Sequence, residues 1–237
     1  MVARTRYEQA ADRAVAWLAT RLHDDGSYGP EADDLACYYK SPYLFHLSGR
    51  TREASTSLLE FIRARFMRPD HDFVTSADHK SDNAAFTEYW AYPNGWLAMA
   101  AQRMGRFDIA YPAFDYLRSC HEPDRGGFRT SGFSGRGDDG TDALTTAHLG
   151  LVSLYFGDVR RAEGAGRWLA RLLALQPNLR AGPFLRRDRA GHLVREVPED
   201  KAAFFVVRAR EPDQAYFMIG YPIGFLAKLY EATAEDA

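Results

Sequence analysis

The sequence predicts a mainly α fold in which outer and inner helices alternate as four pairs, with a small β insertion near residues 182–210. Three observations predict it. The first is an internal repeat. LFHLSGRTREASTSLLEFI, MAAQRMGRFDIAYPAFDYL and LVSLYFGDVRRAEGAGRWL each read as an apolar helix, a glycine, a short polar turn and a second, amphipathic helix. Their glycines, Gly49, Gly105 and Gly157, lie 56 and 52 positions apart. Recurrence at such a period is the signature of stacked supersecondary units. The second observation is periodicity: some helices are apolar or small nearly all round, whereas others carry Arg and Glu on one face. The first kind belongs inside and the second outside. The third is an interruption, GPFLRRDRAGHLVREVPEDKAAFFVVRAREPDQ (182–214), which stands where the repeat has only a short connector.

The elements follow in order. Outer helices are expected at 4–22, 52–67, 107–120 and 159–175, and inner helices at 34–48, 86–104, 142–156 and 215–232. Glycine at 49, 105 and 157 supplies the left-handed conformation that ends a helix, and the polar residues after it restart one. Pro42, Pro93 and Pro222 fall near inner-helix starts, in the like settings KSPY, AYPN and GYPI, where proline fixes the entry geometry. In the interruption, FLRRD and HLVREV alternate around Asp188-Arg189-Ala190-Gly191, which suggests a hairpin, and FFVVRA suggests a third strand. A long insertion at one end of a repeat array belongs either to a binding face or to a cap over the core.

Bulk composition bounds the function. The 237 residues are read as one domain, 1–237; 46% are hydrophobic and 14% aromatic, enough for a packed core. Thirty Lys+Arg against 32 Asp+Glu, with no long run of like charge, argue against a nucleic-acid partner. No apolar stretch of the roughly 18 residues needed to span a bilayer occurs, and the N-terminal helix pattern is broken by charges, so no membrane role is expected. Cys37 and Cys120 form no metal-spaced pair. These features lead to the expectation of a soluble, cytoplasmic protein without a cofactor.

The connectors after two outer helices carry a resemblance. RLHDDGSYG (21–29) and SCHEPDRGGF (119–128) both run from a helix end through His and acidic residues to glycine and an aromatic. Gly26-Ser27-Tyr28 and Gly126-Gly127-Phe128 resemble the connectors of α/α-toroid proteins of the terpene-cyclase and prenyltransferase repeat type, which include squalene–hopene-type cyclases. The resemblance implies an α/α-toroid-like array in a single domain, although toroids of this kind have about six helix pairs rather than four. It also implies cyclase, isomerase or lyase chemistry. The sugar epimerases and unsaturated-glycoside hydrolases share the alternation and form a second implied group.

EADDLACYYK (31–40) is similar to the D-x-D-D-T-A motif of the hopene-type cyclases, with Glu31 for the first Asp and Leu35 for Thr. The resemblance implies Asp33 as the acid that protonates an alkene, with Asp34 beside it. Crowded carboxyls support that reading, because they cannot all ionise and one pKa rises. The same residues are equally well placed to cap the following helix. A second acidic stretch, GDDGTDALTTAHLG (137–150), places Asp138, Asp139 and Asp142 in the D-D-x-x-D spacing of class I terpene synthases, where carboxylates hold Mg²⁺. Here it sits in a glycine-rich loop without a second metal motif. Asp142 reads first as a helix cap, and the three remain weak metal candidates.

Polar residues on the inner helices carry most of the functional argument. A helix buried all round tolerates polar groups when they are paired or face a cavity. Tyr38, Tyr39, Lys40 and Tyr43 fall on the first inner helix; Glu88, Trp90, Tyr92, Asn94 and Trp96 on the second; Thr145, Thr146 and His148 on the third; Asp213, Gln214, Tyr216 and Tyr221 around the start of the fourth. All lie near N-terminal halves, and convergence of such groups is the usual form of a small-molecule site. Lys40 and Glu88 are expected to be buried and to pair with each other or bind something. His79, Lys80 and Asp82 belong to the loop before the second inner helix, and Arg186, Arg195 and Arg208 to the insertion, mostly as surface ion pairs.

These readings lead to an enzyme acting on a small, partly hydrophobic metabolite. Asp33 or Asp34 would be the acid, Lys40 and Glu88 would flank it, and Tyr38, Tyr39, Trp90, Tyr92, Asn94, Trp96, His148, Gln214 and Tyr216 would line the site. A non-catalytic helical-repeat scaffold binding a peptide or protein is the rival. Sugar epimerisation or glycoside cleavage, with His148 and Glu88 as the pair, is a third reading. Four helix pairs leave edges that a second copy could cover, so a homodimer is compatible with the array.

Overall fold

The computed structural model describes residues 5–77, 79–130 and 140–234. Its helices are α1 (Arg6–Arg21), α2 (Ser41–Leu47), α3 (Thr51–Glu53), α4 (Leu59–Phe66), α5 (Ala85–Glu88), α6 (Tyr92–Arg103), α7 (Phe107–Ser119), α8 (Ala143–Tyr155), α9 (Val159–Ala174) and α10 (Phe217–Thr233). Two short strands, β1 (Thr141–Asp142) and β2 (Arg186–Arg187), pair antiparallel. The fold is therefore mainly α with a small two-stranded sheet, as expected. By contacts the chain divides into two compact units. Unit 1 holds Met1–Asn83 and Trp96–Tyr116; unit 2 holds Ala84–Gly95 and Leu117–Ala237.

Helices occupy most of the expected segments, with local breaks that proline explains. A proline has no N–H to give and its ring crowds the carbonyl four residues back. Pro93 stands four after Tyr89, and the expected 86–104 helix splits into α5 and α6. Pro42 stands four after Tyr38, and the expected 34–48 helix becomes a 3₁₀ turn at Leu35–Cys37 followed by α2. Pro222 differs: it lies inside α10 rather than at its start. The expected 52–67 helix is continuous but passes through a π-helical turn at Ala54–Leu58. The insertion is less regular than expected. Its turn closes by Gly191 N–H donating to Asp188 O (2.9 Å). Only Arg186–Arg187 is a strand, residues Glu199–Phe204 form a 3₁₀ helix, and FFVVRA contributes a single bridge, Val206 to Phe184.

The glycines divide into two kinds. Gly49, Gly105 and Gly157 have φ of +79°, +72° and +74° with open space where a Cβ would point. They end α2, α6 and α8, as the repeat predicts. Gly26 (φ +87°) and Gly126 (φ +81°) also press against backbone: a Cβ would lie 2.1 Å from Ser57 O in unit 1 and 2.4 Å from Gly164 O in unit 2. Each of these two connectors thus docks edge-on against the backbone of the outer helix that follows it, and only glycine permits the approach.

In unit 1 the core gathers Leu35, Tyr38, Phe45, Leu58, Ile62, Phe66 and Phe73. In unit 2 α8 is the central element. Its first eight residues, Ala143–Gly150, are all buried, and it packs against both α9 and α10. Gly150 admits the Phe225 ring of α10. α10 itself departs from the all-round burial expected of an inner helix: Phe217, Ile223 and Tyr230 are exposed.

Candidate functional site

The acidic motif of unit 1 is a saturated cap. Asp34 caps the 3₁₀ turn through Ala36 N–H (2.6 Å), and it also accepts from Ser81 Oγ (2.6 Å) and Asp82 N–H (2.7 Å), with Thr75 Oγ1 at 3.1 Å. Partial burial alone would raise its pKa, but the donors from Ser81, Asp82, Ala36 and Thr75 outweigh burial and hold the carboxyl below its usual range. Asp34 is therefore ionised, the opposite of a proton donor. Asp33 is solvent-facing and bound at 2.7 Å by Arg65. His79 lies 2.8 Å from Asp82, and its ring nitrogen, with oxygens of Asp34 and Asp82, forms a group within 4.8 Å that could hold a cation. The lone pairs of Asp34 are already taken up by these donors, so the cluster reads as a brace tying 33–36 to 75–82.

The other unit 1 candidates are structural or exposed. Tyr38 is sealed in the core, where its hydroxyl accepts from Tyr28 N–H (3.0 Å) and its ring stacks on Tyr28. Lys40, expected to be buried, is exposed; its ammonium lies 5.3 Å from the Tyr39 ring centre and 5.5 Å from that of Trp96. Tyr43 meets Trp96 edge-on at 5.4 Å. The buried lysine of this unit is Lys80, whose ammonium is fully covered and pairs with Asp72 at 2.6 Å. The chain gave little warning of it, since 71–82 reads as a polar loop.

Unit 2 holds a different arrangement. Asp142 and Arg186 stand directly opposite in the β1–β2 pair. Asp142 caps α8 through Thr145 N–H (2.7 Å), but its other oxygen has no hydrogen-bond partner among the described residues although the residue is 1% exposed. Burial raises this carboxyl to about 6, with the Arg186 charge and the Thr145 hydrogen bond working the other way. Arg186, expected at the surface, is 4% exposed. Its guanidinium lies 4.2 Å from the Phe205 ring centre, and Nε donates to Phe204 O (3.1 Å). Glu88 completes the group at 2.9 Å from Arg186 and 2.6 Å from Lys201. Burial opposes ionisation of Glu88, and these two cations more than offset it, leaving its pKa lowered. Tyr89 donates to Phe204 O (3.2 Å), and burial, then the Asp142 charge, raises its pKa. The partners of Glu88 are thus cations of the insertion.

The remaining unit 2 candidates fall into separate contacts. Tyr92 and Tyr221 share a 2.6 Å hydrogen bond, and the His148 ring lies 4.8 Å from that of Tyr92. Buried His148 bonds Tyr92 O (3.1 Å), and Gly95 makes room for it: a Cβ there would lie 2.4 Å from His148 Nε2. His148 and Glu88 do not form the cross-cavity pair a glycosidase would use, since each is engaged elsewhere. Asn94 is buried, and the Trp90 N–H bonds Thr130 O. Gln214 accepts from Arg208 N–H, and Tyr216 is exposed, its hydroxyl donating to Glu211 O. Asp138 and Asp139 lie outside the described residues.

The insertion lines a cavity of about 830 Å³ bounded by Pro177, Phe184, Val197 and Val206 and by Arg180, Arg195, Arg208 and Arg210. Its size falls within the range of small-molecule sites, roughly 300–1,000 Å³. Phe184 is two residues from Arg186, and Val206 follows Phe205, so the cavity wall shares its two segments with Arg186, which pairs across the strands with Asp142. Apolar walls with arginines suit a partly hydrophobic molecule bearing negative charge.

No protein-family model matches the chain, and no curated protein matches it in sequence. Among the described residues, no helix is long and apolar enough to cross a membrane.

Proposed function

We propose that this protein is an α/α-toroid-type enzyme acting by acid–base chemistry on a small, partly hydrophobic, anionic metabolite. The metabolite occupies the cavity of the insertion, and Asp142 moves the proton. The observation that carries the reading is the Asp142 carboxyl: buried, facing Arg186, poised near pH 6 and short of one hydrogen-bond partner among the described residues. A carboxyl that titrates near neutrality both gives and takes a proton efficiently. What supports the toroid is the alternation of helices and the equivalent docking of Gly26 and Gly126. Asp142 replaces Asp33 and Asp34 as the proposed acid, because those two are ionised or paired in the open. The carboxyl is covered, so turnover requires the insertion that carries Arg186 to open. Protonation-driven isomerisation, cyclisation or elimination fits such a group.

The test is incubation of the wild type and Asp142→Asn with a mixture of cellular metabolites, read by mass spectrometry. Asparagine caps a helix as well as aspartate, so the fold is retained. Consumption of a metabolite by the wild type alone supports the proposal. Equal consumption by both proteins contradicts it. The exposed Phe217, Ile223 and Tyr230 of α10 favour a second reading, a scaffold with a docking face, and that reading gains if neither protein changes any metabolite.

A further inference from the structure

A second cavity in unit 2 points to a ligand of another kind. It measures about 510 Å³ and lies where the 118–126 connector faces α9. Six arginines line it (118, 125, 160, 161, 167 and 171) against the two carboxylates Asp124 and Asp158. Several of these cations are paired: Arg161 with Asp158 at 2.5 Å, Arg125 with Glu122 at 3.3 Å and Arg167 with Glu163 at 3.8 Å. Counted with Glu122 and Glu163, the four carboxylates leave the six arginines an excess of two positive charges, and the Arg187 charge acts on Arg171 and Arg125 as well. Burial, then the like charges of Arg171 and Arg125, lowers the Arg187 pKa.

Two further observations show that the cavity lacks something. Arg161 Nε and His121 Nε2, both on residues that line the cavity, are buried atoms with no hydrogen-bond partner among the described residues. Buried polar nitrogens are normally satisfied, and those left over mark a missing partner. The His121 ring is pushed down to about 4, by burial first and then by Arg161, so it stays neutral and adds no charge. Second, Arg160 and Arg161 occupy the first turn of α9, a 16-residue helix. Cations there oppose the helix dipole, which favours anions at that end. An anion in the cavity reverses this conflict, and arginine forks match phosphate oxygens well.

We infer that the cavity between the 118–126 connector and α9 binds a soluble, phosphorylated small molecule, its phosphate group held by the arginines of α9 and Arg125. A cavity of this volume has room for a ligand well beyond a single inorganic phosphate, whose displaced water occupies only tens of Å³. The site is separate from the insertion cavity, and the inference does not depend on Asp142.

Isothermal titration calorimetry of the full chain with pyrophosphate tests it. The expected result is saturable binding that weakens about tenfold or more in Arg160→Glu/Arg171→Glu, tenfold corresponding to about 1.4 kcal/mol. Neither arginine has an ion-pair partner among the described residues, and the gain from a first-turn glutamate at 160 offsets the cost of a last-turn glutamate at 171, so this variant keeps its fold. If thermal unfolding shows otherwise, Arg167→Gln/Arg171→Gln provides the same reading with no reversed charge. Absence of saturable binding to the wild type overturns the inference, as does unchanged affinity in a folded variant. Binding to phosphatidic-acid vesicles that pyrophosphate does not compete also overturns it, since the phosphate recognised would then belong to a lipid surface.

Discussion

The two units handle buried charge in opposite ways. In unit 1 Asp34 has a donor on every side, and Lys80 and Asp72 neutralise each other under full cover. In unit 2 Asp142, Arg161, Arg187 and His121 each keep a buried polar atom without a hydrogen-bond partner among the described residues. Burying a polar group unpaired costs stability, whereas a saturated cluster holds a loop in place. Completed polar groups therefore identify framework, and incomplete ones identify the places where a ligand or a proton is expected. The motif that most resembles a cyclase acid lies in the first class, and a residue that reads as a helix cap lies in the second.

The largest effect that sharpens this contrast is at Lys80. Lys80→Met leaves Asp72 buried without its cation and should destabilise unit 1 by about 3–5 kcal/mol in chemical denaturation. Adding Asp72→Leu should recover most of the loss, because an apolar pair of similar volume is often neutral. If the single variant is as stable as the wild type, the pair is not framework.

Next come the connectors. Gly26→Ala and Gly126→Ala put a methyl group into backbone oxygen at a left-handed φ, and each should cost more than about 2 kcal/mol. Gly49→Ala meets the left-handed conformation alone and should cost about 1–2 kcal/mol. Equal losses at all three would remove the argument that the connectors dock on the outer helices.

Glu88→Gln should cost about 3 kcal/mol near neutral pH, the lower end for a broken buried pair, since Asp142 still faces Arg186. Because the folded pKa of Glu88 is lowered, its contribution is present above the ordinary glutamate range and is lost as pH falls through the folded value. The difference between Glu88→Gln and wild type should shrink toward acid pH. A constant difference would show that the loss is one of packing.

Asp142 has the opposite sign. Its folded pKa is raised from 3.8 to about 6, so its contribution is fully present below 3.8 and is lost as pH rises through 6. Between pH 4 and 7 the stability of Asp142→Asn relative to wild type should therefore rise, by up to about 3 kcal/mol for the two-unit shift. Unfolding curves at the two pH values would reveal it, and no change between them would argue against a strained carboxylate.

The fold was legible in the sequence because periodicity and glycine placement are local signals. Gly49, Gly105 and Gly157 end helices as the repeat requires, and Ala143–Gly150 is buried as its apolar circumference predicts. Pro42 and Pro93 stand in the first turns of α2 and α6, as their settings predict, and the expected helices 34–48 and 86–104 are too long because each proline also breaks the stretch before it. The site was less legible, because burial of a charge depends on residues distant in the chain. Arg186 reads as an exposed strand residue until Tyr89 and Phe205 close on it. Asp142 reads as a cap, correctly, but nothing nearby in sequence announces Arg186 across the strand pair. One usable signal existed: Asp142 precedes eight residues, ALTTAHLG, with no charge able to solvate a cap, so that cap had to be buried.

The most direct measurement is a carboxyl ¹³C NMR titration of the aspartates in the folded protein. The account predicts that Asp142 titrates near pH 6 and moves higher in Arg186→Gln, while Asp34 titrates below its usual range. If Asp142 titrates like an exposed aspartate, or Asp34 is the raised one, the assignment of framework to unit 1 and of proton chemistry to unit 2 is contradicted.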